Sequence, residues 1–101
     1  MTEALFDIVW DDTKARSNLL KHGVSFAQAA SVVIDPLALT VFDTAHSEAE
    51  ERWYTLGQTC AGRLLVVAHT YQMLDTNITR VRLISARYAT RQERRQYEEN
   101  F

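Results

Sequence analysis

A chain of 101 residues with 47% hydrophobic side chains, including four Phe, four Tyr and two Trp, has the length of one domain (residues 1–101) and too much apolar content to stay disordered. Its single cysteine, Cys60, excludes an internal disulfide and a cysteine-based metal site. The formal net charge of −2 excludes a uniformly basic polyanion binder, yet residues 80–101 carry six basic against three acidic side chains while residues 1–51 carry three against nine. The positive pole is therefore local, and within a Debye length of about 10 Å a local pole is what a phosphate feels. No basic leader precedes an apolar run, and no stretch nears the ~20 apolar residues that cross a bilayer, so a cytoplasmic protein is expected.

In chain order, LFDIVW (Leu5–Trp10) is β-branched and aromatic and predicts a first strand. Asp11 or Asp12 caps a helix over Thr13–His22, with Ala15, Leu19 and either Asn18 or His22 facing inward and Gly23 ending it in the left-handed region. Ser25 and Gln28 form a capping box for a second helix, Val24 supplies a hydrophobic staple, and Phe26, Ala29, Ala30 and Val33 form its apolar stripe before Asp35-Pro36 stops it. The period then becomes alternating. Strands are predicted at Leu37–Phe42, Glu51–Gln58, Arg63–Tyr71 and Asn77–Ser85, with a polar loop at Asp43–Glu50 and a turn at Cys60–Gly62. Short connections imply antiparallel neighbours, and RLLVVAHTY, apolar on both faces, belongs at the centre. Thr90 and Glu93 form a second capping box, opening a helix to about Asn100. The expected fold class is α+β: an antiparallel sheet with two N-terminal helices on one face and a C-terminal helix.

Alternation along the last strand puts Arg80, Arg82 and Ile84 on one face and Val81, Leu83 and Ser85 on the other, which should meet the helices. Arg52 and Tyr54 share a face of an earlier strand. If it is the Arg82 face, an arginine patch forms with His46, Glu50 and Tyr54 beside it. Guanidinium forks fit phosphate and aromatic rings stack bases, so such a patch suits RNA. Cleaving RNA through its own 2′-hydroxyl needs a base, an acid and stabilisation of the phosphorane, with no obligatory metal or cofactor. His46, Glu50 and the arginines contain those parts. The bland readings are a polar loop around His46, surface ion pairs for the arginines, a helix-terminal cation for His22 and a hydrogen-bonded core residue for His69. No zinc-type ligand spacing occurs, so no metal is expected.

KHGVSF at Lys21–Phe26, DPLALT at Asp35–Thr40, HSE-x-EER at His46–Arg52 and ISAR-x-AT-x-x-ER-x-x-Y at Ile84–Tyr97 together resemble the BrnT toxins of bacterial type II toxin–antitoxin pairs over nearly the entire chain. The resemblance implies a RelE-like fold, a ribonuclease activity that stops translation, and a BrnA-type antitoxin. That antitoxin's ribbon-helix-helix domain would carry any contact with operator DNA. On this reading Arg52, Arg82, His46 and Glu50 are the catalytic candidates. Lys14, Lys21, Arg87, Arg91 and Tyr97 are the candidate RNA-binding residues. The competing reading is a non-catalytic interaction module, or an inactivated homologue, whose basic face only binds an acidic partner.

Overall fold

In the computed structural model, which describes residues 5–99, strands β1 (Leu5–Val9), β2 (Leu39–Phe42), β3 (Trp53–Gln58), β4 (Leu64–Asp75) and β5 (Ile78–Tyr88) alternate with helices α1 (Asp12–His22), α2 (Phe26–Val33) and α3 (Arg91–Glu98) in the order β-α-α-β-β-β-β-α. They build one sheet, ordered β1-β5-β4-β3-β2, with the apolar strand β4 at its centre. β2 to β5 pair antiparallel, whereas β1 joins the β5 edge in parallel, Leu5 beside Ile78 and Val9 beside Arg82. The fold is α+β, as expected.

The helix boundaries follow the capping chemistry. Asp11 accepts the Lys14 N–H at 3.2 Å, and Gly23 closes α1 at φ 69°, a conformation that a residue with a Cβ reaches only at a cost. Both predicted capping boxes, Ser25 with Gln28 and Thr90 with Glu93, are formed. Val24, Phe26, Ala29 and Val32 bury one face of the sheet through Leu65, Val67, Val81, Leu83 and Ala86. On the opposite face α3 lays Tyr97 over Leu56, Leu64 and Val66. Each side of the sheet thus has its own apolar cluster, and α3 leaves only part of the second side open.

Three local expectations are corrected. Leu19, predicted to face inward, is 50% exposed, and Asn18 takes the inward place. Its Nδ2 donates to Val24 O and Ala86 O at 3.0 and 2.9 Å, and its Oδ1 accepts the Ala86 N–H at 3.0 Å. Because β1 ends opposite Arg82, β5 has an unpaired backbone edge at Ala86, and an amide that gives and takes hydrogen bonds substitutes for the missing strand. In α2, Val32 rather than Val33 is fully buried. The strand predicted to end at Tyr71 is longer, since β4 runs on to Asp75 before the chain reverses at Thr76-Asn77.

A fourth difference positions the site. Ala68 sits opposite Ser85 but His69 sits opposite Leu83, so Ile84 is an extra, unpaired residue in β5. Strict alternation would send Arg82 and Arg87 to opposite faces. The bulge resets the pleat, so Val81, Leu83 and Ala86 all point at the helices and Arg82 and Arg87 both emerge on the other side.

Candidate functional site

Thr55 is 1% exposed and lies opposite Val67 in the helix-covered core, so its neighbours Tyr54 and Leu56 face the α3 side and Arg52 precedes them in the same alternation. Arg82, opposite Thr70, points to that side as well. Arg52 lies just before β3, outside the paired register, and its charge acts on Glu50, the partner of Arg82, and on Tyr54, which puts it beside Arg82 on this side. Arg82 donates from a terminal guanidinium nitrogen to Glu50 Oε1 at 2.5 Å. That hydrogen bond, opposed by partial desolvation and reinforced by the charges of Arg82, Arg52 and Lys14, holds the Glu50 carboxyl below its ordinary range. Glu50 is thereby an ionised counter-charge shared by three of the predicted cations. Arg52 Nε is buried without a hydrogen-bond partner among the described residues.

A second group lies beside the first. His46 ends a single 3-10 turn, Thr44–His46, with its side chain 60% exposed, and its Nδ1 lies 3.0 Å from Asp43 Oδ2. Asp43 is 6% exposed and also hydrogen-bonds the Tyr54 hydroxyl. Burial pushes the Asp43 carboxyl up, but hydrogen bonds from Tyr54, His46 and the Ala45 amide, together with the His46 charge, outweigh it and the net shift is downward. Burial and the same Asp43 contact push the Tyr54 phenol up, while the charges of Arg87 and Arg52 pull the other way. Arg52 therefore acts on both Glu50 and Tyr54 and links the two groups. A carboxylate on Nδ1 fixes the imidazole tautomer and leaves Nε2 for a substrate proton.

Of the remaining predicted residues, Arg87 makes a two-pronged pair with Glu93, at 2.8 and 3.0 Å, which raises its own pKa and lowers that of Glu93 to about 2. Arg91 stands exposed on the first turn of α3. Lys14 and Lys21 line a hollow with His22 and Ser85 where α1 meets the β5 bulge. Tyr97 is not presented to an RNA strand: it is 4% exposed, and its hydroxyl donates to Asp35 Oδ2 at 2.7 Å. Asp43 and Glu93 are the two site residues that sequence reasoning did not assign. For Asp43 the available signal was the three-residue spacing to His46, which brings both side chains together only if the loop makes a helical turn. Among the described residues no cluster of three or more His, Cys, Asp or Glu side chains forms a metal-holding group.

A small α+β domain that presents arginines and an Asp–His pair on one sheet face defines the class. Residues 10–93 match the family described as "Ribonuclease toxin, BrnT, of type II toxin-antitoxin system", and the chain belongs to that family. Its fold is similar to the 1.1 Å crystal structure of the Brucella abortus ribonuclease toxin BrnT, with a TM-score of 0.59 and 21% identity over 86% of this chain and 100% of that one. No curated protein matches the sequence.

Proposed function

We propose that this protein is the toxin of its pair and that it cleaves RNA by attack of a ribose 2′-hydroxyl on the adjacent phosphate, which stops translation in the cytoplasm. The observation that carries the reading is the placement of Arg52, Arg82 and the Asp43–His46 pair on one open sheet face. His46 Nε2 accepts the 2′-hydroxyl proton while the 2′-oxygen bonds phosphorus; Asp43 holds the ring and stabilises the imidazolium that results. The bond from phosphorus to the 5′-oxygen breaks, and that oxygen takes a proton from water or from His46 in its charged form. Arg82 and Arg52 stabilise the extra negative charge on the phosphorane, and the reaction needs no metal. Glu50, anionic and paired to Arg82, keeps that guanidinium oriented until phosphate displaces it, so its role is positioning rather than proton transfer. Lys14, Lys21 and Arg91 contact flanking phosphates. The inhibitor is a BrnA-like antitoxin, which covers this face and alone contacts operator DNA.

The test is incubation of the purified chain with single-stranded RNA in the presence of a chelator. Fragments ending in 2′,3′-cyclic phosphate and 5′-hydroxyl groups are expected, and their formation should stop when the antitoxin is added. Intact RNA beside folded protein that still binds its antitoxin would make the chain an interaction module instead.

A further inference from the structure

Between α3 and the outer strands a cavity of about 300 Å³ opens on the same face as the arginines, walled by Val41, Leu56 and Val66 and rimmed by Tyr54, Arg87 and Gln96. We propose that it is a subsite for one unpaired nucleobase of the RNA strand, an inference that rests on the ribonuclease reading above. Its size lies at the lower end of the range for small-molecule pockets, room for a single heterocycle rather than a peptide helix. Its chemistry is that of a base: apolar walls for ring faces and few polar groups at the edge. The two-pronged Glu93 contact holds the Arg87 guanidinium flat, leaving its plane available for stacking. Gln96 is exposed on α3 and offers both a donor and an acceptor to a base edge.

Tyr54 connects this cavity to the chemistry, because its ring lines the pocket while its hydroxyl reaches Asp43, the partner of His46. A base seated here places its phosphodiester toward Arg52. An acidic protein segment fits less well, since the one cation of the lining, Arg87, is already matched by Glu93, which lines the cavity too, and the other walls are apolar or neutral.

The experiment scans 2′-fluoro oligonucleotides, which lack the attacking hydroxyl, and moves one abasic position along the strand while affinity is read by fluorescence anisotropy. With the wild-type chain, removing one particular base should weaken binding about tenfold. In Val41→Trp, which fills the mouth from a residue 59% exposed on the edge strand, and in Gln96→Ala, that penalty should shrink below about twofold, with affinity for the abasic strand retained. No position-specific penalty in the wild type, or a penalty unchanged in Val41→Trp, overturns the subsite. So does a Val41→Trp effect confined to antitoxin affinity, which would make the cavity a protein-docking groove. Cleavage without a base penalty sinks only the subsite; a base penalty without cleavage of ordinary RNA sinks only the nuclease.

Discussion

His69 shows what one side chain contributes on the structural side of the ledger between core and site. It is 0% exposed, its Nε2 lies 2.6 Å from Thr55 Oγ1, and Thr55 Oγ1 lies 2.9 Å from Thr40 Oγ1, a short chain across three strands that runs from the core to the exposed edge strand. Burial lowers its pKa from 6.5 to about 4, against a small opposing contribution from the Thr70 backbone. Because the folded value lies below the unfolded one, the unfolded chain takes up the proton first on acidification. The stability is complete above about pH 6.5 and drains away toward pH 4, by at most about 3 kcal/mol. The carboxylates Asp35, Glu50 and Glu93, all lowered, keep their contribution above their unfolded values of 3.8 for Asp and 4.5 for Glu and lose it as the pH falls on through their folded values, so they overlap only the acid end of that window. Thermal melts across that window should therefore show a falling Tm for the wild type and a flatter profile for His69→Gln, which starts lower. Equal slopes would assign the acid sensitivity elsewhere. Composition and position in an apolar strand sufficed to separate this core histidine from His46. Asp43 was hidden for a physical reason: its burial depends on Tyr54 and on a one-turn helix in a segment with no apolar periodicity.

Among the elements, α3 depends most on specific contacts. It is only eight residues long, below the length at which an isolated helix is stable, and its attachment runs through Tyr97, the Thr90 capping box and the Arg87–Glu93 pair. Asp35 accepts the Tyr97 hydroxyl together with the amides of Gln58 and Leu37, so one carboxylate ties α3 to the loop after α2 and to the end of β3. Tyr97→Phe should lower the unfolding free energy by about 1–2 kcal/mol in urea titration, the range for losing a hydrogen bond to a charged group. An unchanged midpoint would mean that the Tyr97–Asp35 hydrogen bond adds nothing to the attachment of α3. Capping boxes, the central strand and the helix-covered face were all legible because each is written locally, in spacing or in apolar runs. The β5 bulge was not, since Ile84 looks as strand-like as its neighbours and only the pairing with β4 reveals the residue left over. Without it, Arg87 would have been placed on the wrong face.

For the molecule as a whole, the charge gradient along the chain is folded back on itself. The acid-rich first half supplies Asp7 and Glu50 to Arg80 and Arg82, and α3 supplies Glu93 to Arg87, so the arginine face carries its own counter-charges. This explains how a chain of net charge −2 keeps a cluster of guanidinium groups on one surface. The Arg82–Glu50 pair is 37% and 45% exposed, the kind of ion pair that adds little to folding and yields readily to a competing phosphate. The most direct measurement is the RNA cleavage rate of Arg82→Ala beside its melting temperature. A fall of at least about a hundredfold in rate is expected, with Tm within roughly 3 °C of the wild type. Wild-type cleavage by the variant, or a loss that merely follows unfolding, would contradict the account.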